Sequence, residues 1–321
     1  MGNRLKERVA LVTGGGGGIG RGVCRWLAAE GCAIVVNDLG GTVDGSGTSQ
    51  GPADTAVAQI KAQGGAAIAN YDSVSTYEGA AKMVQAAVDQ YGRLDILCHA
   101  AGILRDRMVF NMAEEEWDSV LRVHLYGAFN VVRHAVPHMI KQRYGRIVIF
   151  SSISALGNSG QANYSSAKEG QVGFARALAQ ELAPYNITVN AVYPGGDTRM
   201  TQGVPDTARQ IRAQRGIDTA EGREAAAARA VADSRDPERN APKIVYLCTE
   251  AAGNITGQVV GTAGLPMTLY SPRRVSRVIH KDGPWTLDEL DVLMPNSLTE
   301  GLRNPAPPPP QGQASQAPAT P

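Results

Sequence analysis

At 321 residues, with 43% hydrophobic and 19% charged content, the chain is long enough for one large α/β domain and ordinary for a globular enzyme. A net charge of +1 without a long basic run gives no bulk-charge reason to expect nucleic acid or an anionic membrane as partner. The four cysteines, Cys24, Cys32, Cys98 and Cys248, have neither a CxxC pair nor metal-ligand spacing, so a reduced intracellular protein without a metal is expected. No signal-peptide pattern, myristoylation motif or peroxisomal tripeptide is present, so the expected location is cytoplasmic, with no membrane insertion.

Short β-branched runs at 9–13, 33–38, 66–71, 95–99, 146–151, 188–193 and 258–262 predict seven strands. Apolar residues at helical spacing over 19–30, 53–63, 75–90, 113–142 and 163–183 predict the helices between them, and Ser75 with Glu78 has capping-box spacing. Strand-helix alternation means right-handed parallel crossovers. The predicted fold is therefore α/β: a Rossmann-like, doubly wound, seven-stranded parallel sheet with helices on both faces and ligands at the carboxyl ends of its strands. A Gly-rich loop at 40–52 and an Ala, Arg and Glu-rich stretch at 207–239 break the rhythm. The domain is expected over 1–270, with substrate-loop helices near 201–239. A C-terminal extension over 271–303 is expected to pack on the body or a neighbouring subunit, and the Pro, Gln, Ala and Ser tail at 304–321 to be disordered.

The first strand runs into Thr13-Gly14-Gly15-Gly16-Gly17-Gly18-Ile19-Gly20 and then directly into a helix. Glycines allow a tight turn and close approach to a pyrophosphate, and the helix N-terminus favours negative charge, so Gly14, Gly18 and Gly20 predict a phosphate seat. A glycine pattern alone is weak, but a strand before and a helix after strengthen it. Asp38 ends the second strand 18 residues beyond Gly20, near the spacing at which an acid reaches the adenosine ribose. Its charge repels a 2′-phosphate, which favours NAD over NADP, although Arg21 is placed to assist a phosphate. Asp72, followed by Ser73, ends the third strand. It is placed either to bond the adenine amino group or to cap the next helix.

Tyr164 and Lys168 stand four apart on a predicted helix and so share one face. A neighbouring ammonium and an oxidised nicotinamide both favour the phenolate, suiting the tyrosine to general acid and base work. Such a pair arises by chance in roughly one such chain in four, so its position decides. Just before it, a strand delivers Ser151 and Ser152 to the sheet's carboxyl edge, where a hydroxyl can hold a substrate oxygen.

In order over about residues 5–265, the glycine motif, strand-end serine, Tyr-x-x-x-Lys and Pro194-Gly195 resemble the short-chain dehydrogenase/reductase family. The resemblance implies that Tyr164 is the general acid/base and that Lys168 binds the nicotinamide ribose and lowers the tyrosine pKa. It also implies that serine polarises the carbonyl. Ile19 and the turn Pro194, Gly195 to Thr198 are then implied to hold the cofactor's phosphate and nicotinamide ends. Three departures stand out. The family's Asn-Asn-Ala-Gly reads His99-Ala100-Ala101-Gly102 here, so contacts from Ala100, Ala101 and Gly102 must be mainly backbone. The usual thirteen-residue spacing before Tyr164 gives Ser151, whereas strand register gives Ser152, which is preferred. The helix position that often carries a catalytic asparagine holds His124.

Val36-Asn37-Asp38-Leu39-Gly40-Gly41, Gly102-Ile103-Leu104-Arg105-Asp106-Arg107, Val123-His124-Leu125, Gly160-Gln161-Ala162-Asn163-Tyr164 and Thr198-Arg199-Met200-Thr201 look like the hydroxyacyl-CoA dehydrogenase unit of peroxisomal multifunctional enzyme type 2. That subgroup oxidises (3R)-hydroxyacyl-CoA thioesters, and some members act on 17β-hydroxysteroids. His124 is then either a proton relay from Lys168 titrating near neutrality or a histidine bonded inside the helix layer. Arg105, Asp106 and Arg107 read as a loop-ordering ion-pair set before they read as a CoA-phosphate site. With NAD favoured by Asp38, the resemblance implies an acyl-CoA or steroid substrate and a homodimer or homotetramer formed through the long helices. An NADPH-linked 3-oxoacyl-thioester reductase and a catalytically silent dinucleotide-binding scaffold are the competing readings.

Overall fold

Residues 2–198 and 235–302 are described by the computed structural model; the predicted helices over 207–239 lie almost wholly outside them, as does the tail at 304–321. The β-branched runs become strands buried on both faces because each lies between two helical layers. β1 (Val9–Thr13), β2 (Ala33–Asn37), β3 (Ala67–Asn70), β4 (Ile96–His99), β5 (Gly145–Phe150), β6 (Ile187–Tyr193) and β7 (Val259–Gly261) are joined by β8 (Thr268–Tyr270) in one sheet, ordered β3-β2-β1-β4-β5-β6-β7-β8. The first seven are parallel, as expected, and β8 corrects the strand count to eight by pairing antiparallel with β7. β8 has no sequence signal because it is three residues long and mostly exposed, so it has no buried face to print an apolar pattern.

Alternating side chains feed two cores, one on each face. Val9 and Leu11 join α3 (Tyr77–Tyr91), α5 (Gly127–Gln142) and α6 (Ala162–Leu182). Ala10 and Val12 face α1 (Gly18–Ala29), α2 (Gly51–Ala62) and α7 (Ala241–Leu247). The winding direction reverses between β1 and β4, which opens a crevice at their carboxyl ends.

Two local expectations are corrected. The N-cap of α3 is Thr76, whose Oγ1 accepts from Gly79 N at 3.1 Å, while Ser75 Oγ pairs with Ser73 Oγ at 2.8 Å. The single helix expected over 113–142 is α4 (Glu114–Leu121), a π-helical turn at Arg122–Tyr126 and then α5. His124 lies inside that turn. Beyond β8 the extension is tied to the body by Arg273, whose guanidinium lies 2.8 Å from Glu169 on α6. It then forms α8 (Leu287–Leu293), capped by Thr286 and Glu289, with Leu287 and Val292 on the surface. No described helix is long and apolar enough to cross a membrane.

At the opposite, amino edge of the sheet, fully buried Asp95 accepts from Val9 N at 3.0 Å, from Arg8 at 3.1 Å and from both Arg93 Nε and Nη2 at 2.7 Å. Asp95→Asn keeps the shape but removes the charge and turns one acceptor into a donor facing the arginines. The expected cost is about 2 kcal/mol of unfolding free energy in urea. A loss below about 0.5 kcal/mol, the range of an ordinary surface change, would show the arginines finding water instead.

Candidate active site

Sterics shape the glycine segment at the crevice. Gly14 has φ +66°, and a Cβ there would stand 2.8 Å from Ala101 N and 2.9 Å from the Ala100 carbonyl. At Gly20 it would stand 2.2 Å from Gly14 O, so the first turn of α1 grows directly beneath the loop. The N-cap of α1 is Gly17, without a side-chain cap bond, and the first turn carries no acid. Its amides are therefore not taken by side chains, and the positive end of the helix faces the crevice. Gly18 has φ +49°, and its missing Cβ would lie 3.4 Å from Thr198 Cγ2, which brings the turn after β6 against the same loop. Ile19 packs partly on the core beneath. A cradle that any Cβ would fill, above an uncapped helix terminus, fits a dinucleotide pyrophosphate.

Asp38 stands at the end of β2, half-buried. One carboxylate oxygen accepts from Gly16 N at 2.9 Å and the other from Gly40 N at 2.8 Å. Each oxygen keeps a lone pair for a ribose hydroxyl. Asp72 sits at the end of β3, where Asn70 Nδ2 donates to its carboxylate at 2.8 Å and Asn37 Nδ2 to its carbonyl at 2.9 Å. Since Thr76 caps α3, the capping alternative for Asp72 falls away. Ser73 follows, paired with Ser75.

Buried Thr13 orders the strand end next door. Ala100 N donates to its carbonyl at 3.1 Å and Ala101 N to its hydroxyl at 3.2 Å, while His99 Nδ1 lies 3.0 Å from that hydroxyl. His99 thus holds the departure from the family's asparagine inside the core, where burial pushes its pKa down to about 3. Gly102 is required by His124: a Cβ there would fall 2.3 Å from His124 Cε1.

His124 is fully buried, its Nε2 lying 2.8 Å from the Ile103 carbonyl and 3.1 Å from the Ile103 amide. Its ring meets Tyr164 edge-on, with centroids 5.1 Å apart. Burial first, and the Lys168 ammonium second, hold its pKa well below the ordinary histidine range. The expectation that it titrates near neutrality is therefore corrected: a charged imidazolium in that dry site beside an ammonium is unfavourable.

Helical spacing puts Tyr164 and Lys168 together as predicted. The Lys168 ammonium is 5.4 Å from the Tyr164 ring centroid and donates to the Phe150 carbonyl. Burial pushes the Lys168 pKa down to about 7. The two serines separate by role: Ser151 is buried and donates to Lys168 O at 2.7 Å, which anchors α6 to the end of β5. Half-buried Ser152 accepts from Ser154 N at 3.1 Å and keeps its hydroxyl hydrogen to donate.

Pro194 and Gly195 follow β6. The sequence reading missed the residue that fixes them, buried Asn240, which donates to Gly195 O at 2.7 Å and accepts from Gly195 N at 3.2 Å and Thr262 Oγ1 at 2.9 Å. Nothing in the local pattern marks it, because it begins a short helix far along the chain. Asn163, noted only as part of a motif, donates to the carbonyls of Arg105 and Glu116, both at 2.9 Å, and accepts from Tyr164 N at 2.8 Å. The arginine cluster is an ion-pair set, Arg105 with Glu115 at 3.1 Å and Arg107 with Glu116 at 2.9 Å. The described residues contain no group of three or more acidic, histidine or cysteine side chains able to hold a metal.

A parallel sheet with a pyrophosphate cradle at its reversal point and a tyrosine-lysine pair on the same edge defines an oxidoreductase working with a nicotinamide dinucleotide. The family model described as short chain dehydrogenase matches residues 8–209. A putative short-chain type dehydrogenase/reductase of Mycobacterium tuberculosis is 45% identical over 261 residues, 80% of this chain and 83% of that one. Mouse peroxisomal multifunctional enzyme type 2 is 40% identical over 280 residues, and this match covers 87% of this chain but 35% of that longer protein. Among solved structures, a short chain dehydrogenase from Mycobacterium avium superposes with a TM-score of 0.77 at 36% identity, covering 96% of this chain and 98% of that one. The chain belongs to the short-chain dehydrogenase/reductase family.

Proposed function

We propose that the protein is an NAD-dependent dehydrogenase interconverting a secondary alcohol and a ketone, with a (3R)-hydroxyacyl-CoA as substrate class. The observation that carries this is the buried Lys168 ammonium beside the Tyr164 ring on the edge where the glycine cradle opens. Asp38 supports NAD, since a 2′-phosphate would meet a carboxylate already fixed by two backbone amides. The likeness to peroxisomal multifunctional enzyme type 2 supports the thioester class.

A bound nicotinamide dinucleotide supplies the hydride acceptor. In oxidation the Tyr164 phenolate takes the substrate hydroxyl proton, and Ser152 donates a hydrogen bond to the same oxygen. Lys168 keeps the phenolate ionised. Ser151 and the Phe150 carbonyl keep Lys168 and α6 in register with β5. His124 stays neutral and positions Gly102, Ile103 and the Tyr164 ring. The outer faces of α5 and α6, with Phe129 exposed on α5 and Tyr126 exposed at the end of the π turn before it, are the proposed homo-oligomer contact.

Turnover of acetoacetyl-CoA with NADH is expected to exceed that with NADPH by about ten-fold or more, the effect of about 1.4 kcal/mol of charge repulsion. Activity confined to a 17-ketosteroid would move the substrate class to hydroxysteroids. Preference for NADPH would favour a 3-oxoacyl-thioester reductase, and dinucleotide binding without turnover a silent scaffold.

A further inference from the structure

The Gly-rich segment between β2 and α2 is not a free loop. Thr42 N donates to Ser46 O at 2.9 Å, Asp44 accepts from Ser46 Oγ at 3.0 Å, and Ser49 N returns to Leu39 O at 3.0 Å. One end of this compact unit is Gly40, whose amide holds Asp38. Its other side docks on the segment after β4, where Leu104 N donates to Val43 O at 2.9 Å and Arg105 Nε to Asp44 O at 2.9 Å. Gly45 lies so close that a Cβ would be 3.2 Å from Ile103 side-chain atoms.

Residues 103–105 then reach the catalytic tyrosine by two routes. Ile103 is bonded to His124, whose ring abuts Tyr164. The Arg105 carbonyl is bonded to Asn163, which holds the Tyr164 amide. We infer that the loop at 40–50 is a positioning device: it transmits the seating of the adenosine ribose on Asp38 to Tyr164, with Arg105 as its latch. A ribose held by Asp38 fixes Gly40, hence the loop, hence the segment on which the tyrosine rests. Arg105 touches no reacting atom in this scheme; it acts through the packing of residues 103–105. The inference rests on the proposed binding of NAD at Asp38 and adds that cofactor recognition is read in turnover as well as in affinity.

The test is a cycle between Arg105 and the ribose 2′-hydroxyl, run on the full chain at saturating substrate with NAD and with 2′-deoxy-NAD. In the wild type, removing the hydroxyl is expected to lower kcat about five-fold besides raising KM, the size of an ordinary coupling between contacting groups. In Arg105→Ala, kcat with NAD should fall to near the wild-type value with 2′-deoxy-NAD, and the ratio between the two cofactors should approach one. Arg105→Lys retains a donor for the Asp44 carbonyl and should restore most of the ratio, which guards against an alanine variant that merely folds poorly. Equal ratios in wild type and Arg105→Ala, or an effect of the hydroxyl confined to KM, would overturn the latch. A wild type preferring NADP would instead sink the cofactor reading before any variant is made.

Discussion

Tyr164→Phe should lower alcohol oxidation about a thousand-fold at neutral pH while leaving the fold and dinucleotide binding in place. The size is that of a general acid/base removed from a reaction that needs one. The fold should survive because the Tyr164 ring packs beside Ile103, Val120 and Ala167, and that contact uses ring carbons rather than the hydroxyl. The edge-on His124 contact is likewise kept by a phenylalanine ring. Three measurements decide it together: kcat, the melting temperature and the dissociation constant for NADH by fluorescence. Turnover within ten-fold of wild type, with the other two unchanged, would remove Tyr164 from the chemistry. A collapse of all three would mean that the substitution had been read through stability instead.

Such a prediction is possible from sequence because the residues that carry it are tied to short-range patterns. A strand, a glycine run and a helix start are neighbours in the chain, so the cradle at Gly14 to Gly20 is legible wherever the apolar period changes from two to that of a helix. Tyr164 and Lys168 share a face through helical spacing alone. Asp38 is found by counting from the glycines to the next strand end. The parallel sheet follows from alternation of elements, which needs no knowledge of contacts.

What stayed hidden depends on contacts far apart in sequence. Asn240 holds the Pro194-Gly195 turn from 45 residues away, and no local rule predicts that pairing. The π turn around His124 interrupts an otherwise continuous helical pattern, and its burial against Gly102 is a steric fact between segments 22 residues apart. That burial overturned the near-neutral titration, because a dry site beside Lys168 disfavours the charged imidazolium. Strand register already favoured Ser152 over Ser151, but the bond from Ser151 to the Lys168 carbonyl is a contact no local pattern announces. β8 illustrates the same limit for strands, since three residues, two of them exposed, owe their conformation to β7.

Lys168→Met is expected to change the pH dependence as well as the rate. In the wild type, burial pushes the Lys168 pKa down to about 7. Lys168 and Tyr164 titrate as a coupled pair, and ammonium beside phenolate is the form that takes a proton from the substrate. Oxidation should therefore rise with pH as that pair loses its first proton. Without the ammonium, the phenol returns toward its ordinary pKa near 10, so at pH 7 only about a thousandth of it is phenolate. Its deficit should narrow as pH rises toward 10. In the variant, stability changes opposite to rate. The native lysine binds protons less readily than the unfolded one, so wild-type stability rises with pH from about 7 to the ordinary lysine range near 10.4. Below pH 7 the fold bears the full cost of a buried ammonium, and there Lys168→Met should be the more stable protein, by a margin that shrinks as pH climbs. Denaturation at pH 6 and pH 9.5, read beside the oxidation profile, separates the two effects. A variant with the wild-type pH profile would mean that Lys168 does not govern the ionisation of Tyr164.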